Sequence, residues 1–300
     1  MRLPNFIISG FPKCGTTSLH YYLAEHPEIF MPKQKELHFF TNKILSKQIA
    51  GKGDKIALKT HVRNFKEYSK FFSTEKNYKS VGETSPSYIN YPELFNEIKN
   101  TLSNPKFIVL VRDPIKRAYS NYLHLVREGR EQLSFAEALA QEDKRKKLQF
   151  SDFWYYKFNS SYYEKLAKAK EIFSEVLILT QEELMLNPEE TVKKAYTFLE
   201  VNSEFLPTLL NKKYNPGGSY SNNIITRTIF KPSSTKNFIK KIISVKPWMK
   251  DILNSITRKY KTTSKAINKE TEQELKKFFR KEVKYLEQMG VEIKQWGNYK

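Results

Sequence analysis

Residues 6–19 read FIISGFPKCGTTSL, an apolar run that breaks at Gly10, passes Lys13 and resumes after Gly15. Phe6, Ile7 and Ile8 suit a buried strand, and Thr16–Glu25 carries apolar residues at helical spacing. The stretch therefore reads as strand, glycine-bounded loop and helix N-terminus. Such a loop aims several backbone N–H groups at one spot, and with the helix dipole added that spot favours an anion, usually a phosphate.

The spacing is that of the nucleotide-binding pattern G-x-x-x-x-G-K-[ST], with Gly10, Gly15 and Thr17 in place but Thr16 where the lysine belongs. A lysine stands instead at Lys13, inside the loop. Kinases and ATPases need their lysine on the β/γ-phosphates and a hydroxyl on Mg²⁺, so this loop reads as reshaped for a shorter, differently charged group.

Outward from the loop, strands and helices alternate. Glu28–Met31 is a short apolar piece, KELHFF (35–40) an extended segment, and GKGDK (51–55) a surface loop. Phe65–Phe72 reads as helix, Lys79–Glu83 as a short strand and Pro92–Leu102 as a helix with proline at its start. The strongest strand, Lys106–Val111 (KFIVLV), runs into RDP, where Asp113 can cap a helix from Pro114 to about Arg127. Glu175–Thr180 reads as another buried strand and Pro188–Glu200 as another helix. Near-continuous apolar strands separated by helices predict an α/β fold, a P-loop-like parallel sheet with helices on both faces and a helical C-terminal part. Ligands of such sheets bind at the carboxyl ends of the strands, which puts Lys13 and Arg112 on one rim.

The 300 residues, 39% hydrophobic, suffice for a single large domain. Lys+Arg at 52 against Asp+Glu at 32 gives a net charge of +20, suited to anionic ligands or surfaces. Ten of those cations and one acid, Asp251, fall in residues 231–265, either a solvated basic face or a peripheral membrane contact. Residues 270–289 form a terminal helix with Leu275, Phe278, Phe279, Val283 and Leu286 on one face. The lone Cys14 excludes an intrachain disulfide and reads as a small residue filling a tight loop. No apolar run reaches membrane-spanning length and the first residues lack signal-peptide order, so a soluble cytoplasmic protein is expected.

FPKCGTTSL, KELHFF, GETSPSY (82–88) and VLVRDPIKRAYSNY (109–122) occur in the order found in sulfotransferases that use 3′-phosphoadenosine 5′-phosphosulfate (PAPS). The chain resembles that family, especially its carbohydrate and heparan-type branch and bacterial relatives. The resemblance implies that Lys13, Cys14, Gly15, Thr16, Thr17 and Ser18 wrap the 5′-phosphosulfate, with Lys13 reaching the bridging oxygen. It implies that Arg112 and Ser120 bind the 3′-phosphate and that Glu36 is the general base. His38 is the rival base, or an orienting, substrate-contacting or core histidine. Gly217, Gly218 and Arg227, in YNPGGSYSNNIITR, resemble a late loop that closes over the cofactor. Thr84 stands where heparan-type relatives often have a lysine, which argues against a heparan-like acidic acceptor; Glu83 is either a second carboxylate near the acceptor or a structural residue.

The implied reaction moves a sulfuryl group from PAPS to a hydroxyl of a glycan or small-molecule acceptor, with no metal and no nucleic acid partner. A P-loop kinase explains the glycine loop but not Thr16. A polyanion-binding module explains the charge, yet the aromatics are scattered as core stripes and do not interleave with basic residues. Residues 41–75 and 140–165 are expected to line the cleft. His20, His26, His61 and His124 belong to no motif and read as surface or packing residues.

Overall fold

The computed structural model describes residues 2–210, 219–220, 261–262 and 266–299. In chain order the elements are β1 (Phe6–Gly10), α1 (Thr16–Ala24), β2 (Ile29–Phe30), α2 (Asn42–Leu45), α3 (Asp54–Ala57), α4 (Phe65–Lys70), β3 (Ser80–Thr84) and α5 (Phe95–Thr101). There follow β4 (Lys106–Val111), α6 (Pro114–Arg127), α7 (Phe135–Ala140), α8 (Glu142–Lys147), α9 (Tyr163–Ile172), β5 (Val176–Thr180), α10 (Gln181–Leu186) and α11 (Pro188–Phe198). Short strands β6 (Ser219–Tyr220) and β7 (Lys261–Thr262) pair antiparallel, and α12 (Lys269–Gln288) comes last.

β1 to β5 form one sheet in the order β2-β3-β1-β4-β5, every pair parallel. Ile8 stands opposite Thr84 on one side and Ile108 on the other. After β1 the chain moves to one side of the sheet, and after β3 it crosses to the other. The carboxyl ends of β1 and β4 therefore flank the switch point at which such sheets bind ligands. β1 and β4 are central and, Lys106 apart, buried because helices cover both faces: α1 packs on β1 and α11, while α9 packs on α5 and α12.

Gly10 sits at φ 144°, and a Cβ there would lie 2.7 Å from the Leu110 carbonyl oxygen. Only glycine lets the chain leave β1 so close to β4. Asp113 caps α6 as expected, its Oδ1 accepting from the N–H groups of Ile115 (3.0 Å) and Lys116 (3.1 Å). The C-terminal tail pins the same turn. Asn298 Nδ2 donates to Asp113 Oδ2 at 2.9 Å, and Trp296 Nε1 donates to Glu182 Oε2 at 3.1 Å, while Glu182 Oε1 accepts from the Asp113 N–H.

Four expectations need correction. Residues 35–40 are not extended, because Glu36 (φ 60°) and His38 (φ 51°) both take left-handed backbone. GKGDK is not a surface loop: Asp54 is buried and accepts from Trp154 Nε1 (3.0 Å), the Ser151 hydroxyl (2.8 Å) and Arg130. β5 is only half-buried, since it pairs on one side alone. On α12, Leu275, Phe279, Val283 and Leu286 are buried but Phe278 is exposed, and Lys157 sits over its ring. Gly217, Gly218, Arg227 and the segment 231–265, apart from the backbone of Lys261 and Thr262, lie outside the described residues. Among the described residues no helix is long and apolar enough to cross a membrane.

Candidate active site

A cleft of about 1140 Å³ opens at the carboxyl ends of β1 and β4. It is somewhat larger than the ~300–1,000 Å³ of ordinary small-ligand sites, as a site for two substrates would be. Its walls include Lys13, Gly15, Thr16, Thr17, Ser18, Glu36, His38, Arg112 and Ser120, so the residues of three separate motifs meet in one cavity.

The loop after β1 supplies one wall. α1 starts at Gly15, at φ 97°, with no side-chain cap, so its first-turn N–H groups face the cleft end of the helix dipole. Lys13 is itself left-handed, at φ 76°, a conformation that costs a non-glycine residue energy and that clusters at functional sites. Two arginines brace this loop from the β4 side. Arg112 Nη1 donates to the Lys13 carbonyl at 3.2 Å, and the fully buried Arg117 donates to the Pro12 carbonyl at 3.3 Å. Arg112 Nε is buried with no hydrogen-bond partner among the described residues.

Burial, then the charges of Arg127 and Arg112, hold the Lys13 ammonium down to about 8, with Glu128 and Glu36 partly offsetting them. Cys14 is not brought to the cleft. Its side chain is fully buried in the core, its N–H donates to the Phe11 carbonyl at 3.2 Å, and burial pushes its thiol up to about 12.

The opposite wall carries Glu36 and His38. Their left-handed segment is hung on GETSPSY: the Glu36 N–H donates to the Thr84 carbonyl at 2.6 Å, and the His38 N–H to Ser85 Oγ at 3.1 Å. His38 Nδ1 lies 2.7 Å from Ser87 Oγ. Burial disfavours the Glu36 carboxylate, but Lys35, which hydrogen-bonds it, together with His38 and His124 outweighs that and leaves its pKa below the ordinary value. His38 is held neutral, its pKa pushed down to about 4 by burial.

Glu83 is structural. It is fully buried away from the cleft, where Tyr88 (2.6 Å) and Ser85 (2.7 Å) donate to Oε1 and Tyr68 donates to Oε2. Thr84 is buried against His20 Nδ1 at 2.9 Å.

Four further residues went unrecognised in the sequence. His61 and His124 line the cleft, as does Asp54 through its bond to Arg130. Arg117 had a usable signal, since it lies one helical turn into the helix that follows Arg112. His61, His124 and Asp54 had none, because only the folded chain brings them to the cleft. Of the expected cleft segments, Leu45 to His61 and Ser151 to Phe153 contribute.

A model described as the sulfotransferase family matches residues 4–204. The chain is 36% identical over 120 residues to the membrane-associated sulfotransferase kil1 of Dictyostelium discoideum, covering 40% of this chain and 22% of that protein. It is 29% identical over 174 residues to carbohydrate sulfotransferase 15 of Homo sapiens, covering 46% of this chain and 30% of that protein. The chain thus spans less than a third of these curated relatives. A solved sulfotransferase from Alicyclobacillus acidocaldarius superposes with a TM-score of 0.76 at 27% identity over 99% of both chains.

Proposed function

The chain belongs to the sulfotransferase family, and on that premise we propose that it transfers a sulfuryl group from PAPS to a hydroxyl of a carbohydrate or small-molecule acceptor. The observation that supports this reading best is that Lys13, Arg112 and Glu36 share one cavity at the switch point of the sheet. The left-handed backbone of Lys13, Glu36 and His38 adds to it, since these are three of seven non-glycine residues with positive φ among those described.

The chain's residues suit each requirement of the reaction. The Gly15–Ser18 turn and the start of α1 suit the 5′-phosphate, while Arg112, with an unsatisfied Nε, and Ser120 suit the 3′-phosphate. Glu36, ionised at neutral pH, takes the acceptor proton as the acceptor oxygen bonds to sulfur. The bond from sulfur to the bridging oxygen breaks, and Lys13 neutralises the charge that collects on the departing phosphate. His38, neutral and tied to Ser87, orients the acceptor. Gly218 and Arg227 complete the donor site on this reading. The 300 residues act as one domain, and the single free Cys14 fits a reducing cytoplasm.

Nucleotide dependence tests the reading. 3′-Phosphoadenosine 5′-phosphate should raise the melting temperature, ATP with Mg²⁺ much less, and chelators should change nothing. Arg112→Ala should weaken the 3′-phosphorylated nucleotide ~10- to 100-fold, on the scale of losing a charge-assisted bidentate contact, and spare its dephosphorylated analogue. Equal loss for both, or a magnesium requirement, would count against the donor site.

A further inference from the structure

Among the described residues, two cleft-lining side chains hold a buried nitrogen with no hydrogen-bond partner, Arg112 and His61. A buried nitrogen without a partner is costly, and in a side chain that lines a cleft it marks a place where a ligand could supply one. The 3′-phosphate of the donor accounts for Arg112 Nε. Nothing in the donor accounts for His61 Nδ1, which lies on the Glu36 side of the cleft.

His61 is placed with care. The Val62 N–H donates to the Leu37 carbonyl at 2.9 Å, and Gln34 Nε2 donates to the Thr60 carbonyl at 3.0 Å. These bonds clamp the residues on either side of His61 to the segment that bears Glu36 and His38. The His61 ring lies 4.4 Å from the His38 ring, tilted by 37°. Burial and then the neighbouring His38 push the His61 pKa down to about 3, so its ring is neutral and offers hydrogen bonds instead of charge.

His61 also borders a second cavity of about 410 Å³, whose walls include Gln34, Lys59, Thr60, Glu67 and Phe71. It is the wall that this groove and the cleft have in common. An amide, an ammonium, a hydroxyl, a carboxylate and an aromatic face form a set that suits sugar hydroxyls and the C–H face of a sugar ring. We propose that His61 is an acceptor-recognition residue, hydrogen-bonding an oligosaccharide whose first ring presents its hydroxyl to Glu36 while the next ring occupies the groove beyond His61. This inference rests on the sulfuryl-transfer reading above and narrows its acceptor.

The test compares transfer from PAPS to N-acetylglucosamine, with one ring, and to chitotriose, with three, in the wild type, His61→Phe and His61→Gln. Phenylalanine keeps the ring against His38 and removes both nitrogens; glutamine restores a polar group. The wild type should favour the trisaccharide by roughly tenfold in kcat/KM, the size of one or two hydrogen bonds. His61→Phe should lose that preference through the acceptor KM with the donor KM unchanged, and His61→Gln should regain part of it. Equal use of both sugars by the wild type would overturn the inference, as would an unaltered acceptor KM in His61→Phe or donor and acceptor constants that move together. If the 3′-phosphonucleotide binds but neither sugar accepts sulfate, the glycan subsite falls and the donor reading stands. If the nucleotide does not bind, the donor reading fails and takes the subsite with it.

Discussion

The two walls of the cleft are made by different means. The wall proposed for the donor rests on regular structure: β1 and β4 run parallel and in register, each ends in a glycine or proline turn, and each feeds a helix that lines the cleft. The acceptor wall has almost none. Glu36 and His38 lie on consecutive left-handed turns hung from Thr84, Ser85 and Ser87, and His61 and Asp54 come from short helices and loops far along the chain. An anion can be held by backbone and local sequence, because N–H groups at a helix start are the same whatever the side chains. A base must be set by side chains and long-range contacts.

The difference is broken most directly at Glu36. Glu36→Gln should lower kcat on the order of 10³-fold, within the range of general-base removal, while binding of 3′-phosphoadenosine 5′-phosphate by calorimetry stays within about twofold of wild type. A large loss of nucleotide affinity would show that the two walls are not separable. An unchanged rate would remove Glu36 from the chemistry.

Lys13 gives the complementary cut, at the donor wall. Lys13→Met should cost about 10²-fold, the scale of one electrostatic contact to a developing anion, and should do so for every acceptor alike. Its pKa, lowered to about 8, also sets an alkaline limb. The protonated lysine is the working form, so kcat/KM for the donor should be level below pH 8 and fall tenfold per pH unit above it. His38 and His61, pushed down to about 4 and about 3, stay neutral across this range and should contribute no limb between pH 5 and 8. Lys13→Arg should lose the alkaline limb, because guanidinium does not titrate there. A limb that survives in Lys13→Arg would assign the titration to another group.

The same contrast explains what could be read from the residues in advance. The fold and the meeting of Lys13 with Arg112 at one rim were legible because their signals are local: apolar runs for β1 and β4, Gly10 and Gly15 at a fixed spacing, and Asp113 before Pro114. The acceptor wall was not legible as geometry. KELHFF reads as an extended segment, but the bonds to Thr84, Ser85 and Ser87 hold Glu36 and His38 with left-handed backbone, so they reach the cleft by a route that an extended segment does not describe. Asp54 looked exposed between Gly53 and Lys55, yet Trp154 and Ser151, about a hundred positions later, bury it. Phe278 failed for a subtler reason. It shares the apolar stripe of α12, but the helix turns its neighbour Phe279 inward, and only one of two adjacent rings can face the core.

The smallest effect is the most discriminating, because it decides between the two base candidates on the acceptor wall. His38→Asn is the substitution of choice, since asparagine tolerates the left-handed backbone at φ 51° and can keep a polar contact to Ser87. If Glu36 is the base, His38 only orients the acceptor, and the variant should lose no more than about tenfold in kcat, the worth of one hydrogen bond. The structure gives His38 a fixed place, with Nδ1 2.7 Å from Ser87 Oγ, which suits a group that orients the acceptor. A loss on the 10³ scale in His38→Asn, matched by only a small loss in Glu36→Gln, would reverse the assignment and make Glu36 the carboxylate that orients His38.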